Sequence, residues 1–248
     1  MKQSRMIMGM PVILDVIDSW VTGKTFDKIF AYFEYVDRKF STYKNESEIS
    51  LLNRQEITLE QSSEDMQTIF MLAEQTRQET DGYFDIARNG KYDPSGIVKG
   101  WAIYNAAEIL RQAGFKNYYV DAGGDIQVYG KNDEGQDWRV GIQSPFNPKE
   151  IVKVVSLQDC GMATSGTYVR GQHIYNPKDR EQPITEIVSL TVIGPDIYEA
   201  DRFATAAFAM GSAGVYFIEN LKGFEGYMID QKGLATYTSG FERYVFYA

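Results

Sequence analysis

The sequence predicts an α+β fold, a single compact unit of largely antiparallel sheet with packed helices. Strand-like and helix-like patterns follow one another as strand, helices, several strands, helices and strands, which differs from a regular β-α-β repeat. No Pro-, Gly- or Ser-rich linker and no internal repeat divides the 248 residues, of which 44% are hydrophobic. We therefore expect one domain over residues 1–248.

The first elements are predicted by their hydrophobic periods. Residues 6–16 alternate as a strand does, with breaks at Gly9 and Pro11. Apolar residues then recur at every third or fourth position over residues 26–40, which is the period of an amphipathic helix.

Two further helices are predicted from their starts. A short helix is expected to begin at Asn45, with Glu48 as its capping-box partner. Ser62 or Ser63 should cap the next helix, and Gly82 lies just beyond its end.

The rest of the chain predicts one long helix, five strands, two helices and three short closing strands. Their expected positions, in the same order, are residues 97–114, 118–121, 126–129, 138–142, 152–157 and 188–193, then 199–210 and 213–221, then segments around 227, 235–237 and 244–246.

Composition excludes several classes of function. A net charge of −9 argues against general binding to nucleic acid or anionic membranes, because such partners need a basic surface. The single cysteine, Cys160, excludes an internal disulfide or a thiolate metal cluster and fits a reducing compartment. Neither a membrane-spanning apolar run nor a signal-peptide core is evident. We expect a cytoplasmic protein, or a periplasmic or envelope-facing one if a leader was removed.

Asp201 and Thr205 are the clearest candidate for a metal-binding pair. They lie four residues apart in a predicted helix, so their side chains share one face. A carboxylate and a hydroxyl are hard oxygen ligands that suit Mg²⁺. The same residues also fit an ordinary helix, in which Asp201 favours the N-terminal dipole and Thr205 bonds a carbonyl. The pair alone leaves both interpretations open.

Four short segments are candidates for binding an anionic or planar ligand. Residues 93–100 form a turn into a helix whose free amides favour anions, or an ordinary helix start with Lys99 on a solvated face. Gly-Gly-Asp at 123–125 and Thr-Ser-Gly at 164–166 fit either a ligand-binding turn or a plain polar connection. Ser-Thr-Tyr at 41–43 offers hydroxyls and an aromatic face, or a packed helix end.

His173 is the only histidine in the chain and lies near the Ser/Thr/Gly-rich residues 163–167. Histidine titrates near neutral pH and is suited to take a proton from a hydroxyl, although a single histidine is often an ordinary hydrogen-bonded residue. Motifs of other enzyme classes are absent from the sequence: there is no Gly-x-Ser-x-Gly elbow, no His-Glu-x-x-His, no Cys-x-x-Cys and no dinucleotide-binding glycine motif.

Taken together, these segments resemble the FAD:protein FMN transferase family, also called ApbE-like flavin transferases. Any one block is weak evidence, whereas the blocks follow the family order over nearly the whole chain. They are Met-Gly-Met-Pro-Val at 8–12, Phe-Ser-Thr-Tyr at 40–43, Ser-Glu-Ile-Ser-Leu-Leu-Asn at 47–53, Gly-Tyr-Phe-Asp at 82–85, the turn at 93–100, Ala-Gly-Gly-Asp at 122–125, Trp-Arg-Val-Gly-Ile at 138–142, Ala-Thr-Ser-Gly at 163–166, His-Ile-Tyr-Asn-Pro at 173–177 and the helix block at 200–206.

The resemblance implies a T-fold-related architecture and an Mg²⁺-dependent enzyme. Such an enzyme cleaves the FAD pyrophosphate, attaches FMN through a phosphoester bond to a Ser or Thr hydroxyl of an acceptor flavoprotein and releases AMP. By match to the family blocks, Asp201, Thr205 and a main-chain carbonyl near Ser95 or Gly96 would bind the metal, and His173 would be the base. The expected FAD-binding residues are Met10, Ser41, Tyr43, Tyr83, Asp93, Ser95, Lys99, Gly123, Asp125, Thr164 and Ser165.

The chain departs from the family pattern at three places. Asp121 stands where the family often has Asn, residues 178–181 replace a Thr-Gly pair, and Arg202 and Phe203 are larger than the residues common in the metal-binding helix. We expect these changes to affect flavin fit or acceptor docking. Two other functions stay open: a metal-dependent FAD pyrophosphatase that uses water, and a non-catalytic flavin-binding module.

Overall fold

An eight-stranded antiparallel sheet is the framework of the fold in the computed structural model, which describes residues 1–167, 174–179 and 183–247. Two smaller two-stranded sheets accompany it. Within the described residues the strands are β1 (Lys2–Ile7), β2 (Met10–Val16), β3 (Ala87–Arg88), β4 (Lys91–Tyr92), β5 (Tyr118–Ala122), β6 (Asp125–Tyr129), β7 (Trp138–Gln143), β8 (Ile151–Leu157), β9 (Gly161–Gly166), β10 (Ile187–Gly194), β11 (Glu225–Asp230) and β12 (Ala235–Tyr237). The large sheet has the order β1-β2-β5-β6-β9-β10-β11-β12.

Six α-helices occur in the same part of the chain. They are α1 (Gly23–Phe40), α2 (Glu48–Asn53), α3 (Glu64–Glu79), α4 (Ser95–Gln112), α5 (Ile197–Ala209) and α6 (Gly214–Glu219). The prediction of an α+β fold with a largely antiparallel sheet is confirmed. Among the described residues, no helix combines the length and the apolar composition needed to cross a bilayer.

The sheet separates two hydrophobic cores. One face packs against the helices, and its core contains Val12 and Leu14 of β2 together with residues of α1, α4 and α5. The other face is covered by the β7–β8 hairpin, and its core contains Trp138, Val140 and Ile142 of β7. The alternating burial of β7 follows from this packing, because every second side chain points into the second core.

The prediction of one strand over residues 6–16 is wrong, because two strands meet there. Met8 and Gly9 both have positive φ, 56° and 73°, and form a two-residue turn between β1 and β2. Such a turn matches the twist of a hairpin, and glycine adopts its backbone conformation without strain. The glycine that looked like a break within a strand is therefore a reversal of the chain.

The prediction of a polar turn at residues 164–166 is also wrong. These residues belong to β9, which pairs with β6 on one side and β10 on the other. Gly166 disfavours a strand by propensity whereas the β-branched Thr164 favours one, and pairing with the neighbouring strands fixes the extended conformation. Gly161 shows why small residues occur here, because a Cβ at this position would lie 2.1 Å from the backbone nitrogen of Ile197 in α5.

Helix caps correct one prediction and confirm another. The short helix begins after Ser47 rather than at Asn45, and the Ser47 hydroxyl accepts the N–H of Ser50 at 3.2 Å. Ser63 caps α3 as predicted. Glu48 does not close a capping box, since its carboxylate accepts the N–H of Ser63 at 2.5 Å and so joins the two helix starts.

The chain end differs from the prediction of three closing strands. The segments around residues 227 and 235–237 are β11 and β12, whereas residues Phe241–Tyr244 form a 3-10 helix. Val245 makes a single bridge to Val155 of β8. The predicted third strand is therefore wrong, and the chain end lies against the outer edge of the β7–β8 hairpin.

Candidate active site

Helices α4 and α5 approach each other closely at Gly100. The Gly100 N–H donates to Oδ2 of Asp201 at 2.7 Å. A Cβ on residue 100 would lie 2.6 Å from the Asp201 Cβ and 2.8 Å from the carbonyl oxygen of Ile197. Only glycine allows this approach, which holds the buried Asp201 carboxylate against the start of α4.

Thr205 lies one turn after Asp201 and reaches the same helix. Its hydroxyl donates to the carbonyl oxygen of Gly96 at 3.3 Å. Asp201, Thr205 and Gly96 all line one cleft. The structure thus brings together the three residues predicted as metal ligands, and their metal-binding role stays a prediction.

Lys99 and Asp125 form an ion pair beside these residues. The Lys99 Nζ lies 2.5 Å from Oδ2 of Asp125, whose Oδ1 accepts the N–H of Thr164 at 3.0 Å. Burial raises the pKa of Asp201 to about 7, the charge of Lys99 opposes this rise, and the Asp125 carboxyl adds to it. Two carboxyl groups face a single lysine here, so their combined negative charge is not fully neutralised and would favour a second cation.

The cleft has a volume of ≈ 770 Å³, which falls within the range of small-molecule sites, about 300–1,000 Å³. Its walls come from α4, α5, β7, β9, the turn between β5 and β6, and the segment before β3. Twelve of the predicted site residues line it: Met10, Tyr83, Asp93, Ser95, Gly96, Lys99, Gly123, Asp125, Thr164, Ser165, Asp201 and Thr205.

Three predicted residues are not placed with the others. Ser41 and Tyr43 are absent from the described cleft lining. Ser41 lies at the end of α1, where its carbonyl accepts the Ser47 hydroxyl, and the Tyr43 side chain is 97% exposed. His173 lies outside the described residues. The roles assigned to these three residues stay predictions.

Several cleft residues had no predicted role. They include Asp85, Tyr119, Tyr175 and the β7 residues Arg139 to Gln143. The Tyr175 hydroxyl donates to the carbonyls of Asp85 and Ala87 at 3.1 and 3.2 Å. The sequence blocks at 82–85 and 138–142 contain most of these residues, so the blocks could have indicated that they lie in the cleft. Nothing in the sequence indicated their specific contacts.

The family departures are accommodated in different ways. Asp121 is buried, accepts the N–H of Gly124 at 2.9 Å and thereby holds the Gly-Gly-Asp turn; burial raises its pKa. Arg202 is buried and pairs with Glu79 and, at 2.5 Å, with Glu199. Phe203 packs against other aromatic rings. Neither Arg202 nor Phe203 is among the described cleft residues.

The family model for the ApbE family matches residues 8–91 and 88–228. The chain belongs to the ApbE family. This confirms the resemblance drawn from the sequence blocks.

Curated relatives in the ApbE family carry the name FAD:protein FMN transferase. That of Klebsiella pneumoniae is 34% identical over 151 residues, which are 57% of this chain and 43% of the relative. That of Vibrio cholerae is 34% identical over 128 residues, or 48% of this chain and 38% of the relative. The matched segments therefore span less than half the length of these relatives.

Solved ApbE structures share the fold over the full chain. The flavin transferase ApbE from Vibrio cholerae superposes with a TM-score of 0.86 at 24% identity and covers 98% of both chains. The ApbE protein from Thermotoga maritima superposes with a TM-score of 0.88 at 21% identity, over 100% of this chain and 99% of that one.

Proposed function

We propose that this protein is an Mg²⁺-dependent FAD:protein FMN transferase. FAD and the acceptor hydroxyl would give an FMN phosphoester on Ser or Thr of the acceptor flavoprotein, and AMP. The observation that carries the proposal is that Asp201, Thr205 and Gly96 line one cleft of ≈ 770 Å³, in which the Thr205 hydroxyl lies 3.3 Å from the Gly96 carbonyl oxygen. Membership of the ApbE family supports it.

The donor chemistry at these three residues fits Mg²⁺. A carboxylate, a hydroxyl and a main-chain carbonyl are hard oxygen ligands, and Mg²⁺ keeps its remaining positions for water and phosphate oxygens. No group of three or more His, Cys, Asp or Glu side chains that suits a metal occurs in the described ranges, so the proposed site relies on a hydroxyl and a main-chain carbonyl beside one carboxylate. Bound here, Mg²⁺ would neutralise charge on the FAD diphosphate.

The cleft residues then have separable tasks. Lys99, held by Asp125, places a positive charge beside the diphosphate, and the start of α4 adds its N-terminal dipole. Phosphoryl transfer needs mainly such positioning and charge stabilisation. Gly123 allows the β5–β6 turn to approach Met10, because a Cβ there would lie 2.8 Å from the Met10 sulfur.

The proposed chemical step is a displacement at the phosphorus of the FMN half. The acceptor hydroxyl oxygen forms a bond to this phosphorus, the bond between the phosphorus and the bridging oxygen breaks, and AMP leaves with that oxygen. The hydroxyl proton passes to a base, for which His173 is the candidate because histidine titrates near neutral pH.

The proposal is tested by incubating the protein with FAD, Mg²⁺ and candidate acceptor flavoproteins. We expect flavin fluorescence on the denatured acceptor band and an equal amount of AMP. AMP release at the same rate without an acceptor would instead favour the FAD pyrophosphatase. FAD binding with neither AMP nor covalent flavin would favour the non-catalytic module.

A further inference from the structure

Strand β7 has one paired edge and one free edge. β8 pairs with it along its whole length, from Trp138 opposite Leu157 to Gln143 opposite Ile151. No backbone group in the described ranges bonds to its other edge. Residues 139–143, five in succession, all line the cleft. Because side chains alternate between the two faces of a strand, this succession indicates that the cleft runs along the strand's edge.

The pairing identifies which backbone groups point into the cleft. The N–H of Phe246 donates to the carbonyl of Val154 at 2.8 Å, so the backbone groups of Val154 point away from β7. In an antiparallel ladder, such a residue and its partner form a non-hydrogen-bonded pair. The partner of Val154 is Gly141, and therefore the N–H and C=O of Gly141 point outward. Arg139 lies two residues earlier in the strand, so its N–H and C=O also point outward.

Among the described residues, the regularly paired part of β7 from Trp138 to Ile142 has little of the protection that free edges usually have. Natural sheets block exposed edges with charged side chains, proline, bulges or covering segments. Gly141 has no side chain, and the Arg139 guanidinium lies 4.0 Å from the ring of Phe246, which is bonded to the far edge of β8. The Arg139 guanidinium therefore lies on the β8 side and does not cover the free edge of β7.

We propose that an extended segment of the acceptor protein adds to the free edge of β7 as an extra strand and so brings its Ser or Thr hydroxyl into the cleft. This inference rests on the proposed function. Arg139 and Gly141 offer two donor–acceptor pairs about 6.8 Å apart, which is the two-residue repeat of an antiparallel strand. A polypeptide matches both pairs, whereas the edge of a flavin or adenine ring spans only one. Strand addition of this kind takes its affinity from main-chain hydrogen bonds.

The experiment uses the full chain with FAD, Mg²⁺ and a pool of synthetic peptides of about 12 residues. Each peptide has one central threonine and no proline. Peptides that gain an FMN-sized mass are identified, and the best of them is used for kinetics. Two matched pairs of variants are compared: Arg139→Pro with Arg139→Ala, and Gly141→Pro with Gly141→Ala. Proline removes the outward N–H and is tolerated at a strand edge, while alanine keeps the N–H.

We expect each proline variant to raise the KM of the peptide about tenfold over its alanine partner, because one main-chain hydrogen bond is lost. The Kd of FAD, measured by flavin fluorescence, should be similar for each proline variant and its alanine partner. In a second series, single N-methyl groups are moved along the peptide with the wild-type protein. Methylation should raise the KM at alternate peptide positions only, since strand hydrogen bonds repeat every two residues. This series decides the matter if a proline variant does not fold.

Equal KM values for proline and alanine variants, with no two-residue pattern in the N-methyl series, would overturn the inference. So would proline variants that weaken FAD rather than the peptide, because the edge would then serve the nucleotide. A wild-type protein that transfers FMN to folded flavoproteins but to none of the extended peptides would overturn the inference alone. Absence of any FMN adduct on peptide or protein would instead overturn the proposed function.

Discussion

The α4–α5 wall and the β7 wall of the cleft differ in how they use their polar groups. On the α4–α5 wall, Gly100 lets two helices touch, and the buried Asp201 carboxylate accepts the Gly100 N–H. On the β7 wall, Gly141 turns its backbone groups outward with no partner among the described residues. The α4–α5 wall holds polar atoms in fixed positions, as catalysis requires. The β7 wall leaves backbone groups available to pair with an added strand, as we propose.

The largest expected effect is at Asp201, the carboxylate of the proposed Mg²⁺ site. Asp201→Asn keeps an oxygen for the Gly100 N–H but removes the negative charge, and we expect FMN transfer to fall about 100-fold or more. The control is Asp18→Asn, a buried carboxylate that accepts the N–H groups of Lys116 and Asn117. Transfer per folded molecule should be unchanged in the control. Equal losses of transfer in the two variants would show that the Asp201 carboxylate has no specific role in the reaction.

Close helix packing at Gly100 should be costly to disturb. Gly100→Ala places a Cβ 2.8 Å from the carbonyl oxygen of Ile197, and we expect the free energy of unfolding to fall by about 1–3 kcal/mol, the usual effect of overpacking. Gly23→Ala is the matched control, because a Cβ there meets nothing within 4 Å. Urea denaturation measures both variants. An unchanged free energy of unfolding in Gly100→Ala would show that the close approach of the two helices does not require glycine.

Thr205 tests the hydroxyl at the proposed Mg²⁺ site. Thr205→Val keeps the shape but removes the oxygen that lies 3.3 Å from the Gly96 carbonyl. The Mg²⁺ concentration for half-maximal transfer should rise about tenfold, which corresponds to ~1.4 kcal/mol. Thr205→Ser keeps the hydroxyl and should stay close to the wild type. If Val and Ser behave alike, the hydroxyl is not a ligand.

The smallest effect should come from the β7–β8 wall. Ile151 is 51% exposed beside Gly141, so Ile151→Ala should lower the free energy of unfolding by less than ~1 kcal/mol. Its counterpart on the other wall is Ile197→Ala, a fully buried side chain for which we expect a loss of about 2–5 kcal/mol. Thermal and urea denaturation compare them. Similar losses would contradict the difference between the walls.

Local sequence patterns predicted the helices better than the sheet. The apolar period of α1 and the cap of α3 are encoded within a few residues, and both predictions are confirmed. The strand β9 was missed because its glycines disfavour a strand and its Thr-Ser-Gly run is also typical of a turn. Its conformation comes from pairing with β6 and β10 on either side. The β1–β2 turn was missed because a glycine between two strand patterns fits either a break or a reversal.

The candidate site was predicted as residues but not as contacts. Spacing within α5 was enough to place Asp201 and Thr205 on one face. Nothing local could pair Lys99 with Asp125, because α4, the β5–β6 turn and β9 meet only in the folded chain. The free edge of β7 could not be predicted from the sequence either, because it depends on which backbone groups β8 leaves unpaired.

A crystal of the protein soaked with FAD and Mn²⁺, which stands in for Mg²⁺ and has an anomalous signal, tests the central claim most directly. We predict an anomalous peak at about 2.1 Å from oxygens of Asp201, Thr205 and Gly96, with the FAD diphosphate in contact with the ion. A metal bound elsewhere in the cleft, or a diphosphate distant from these three oxygens, would contradict the account.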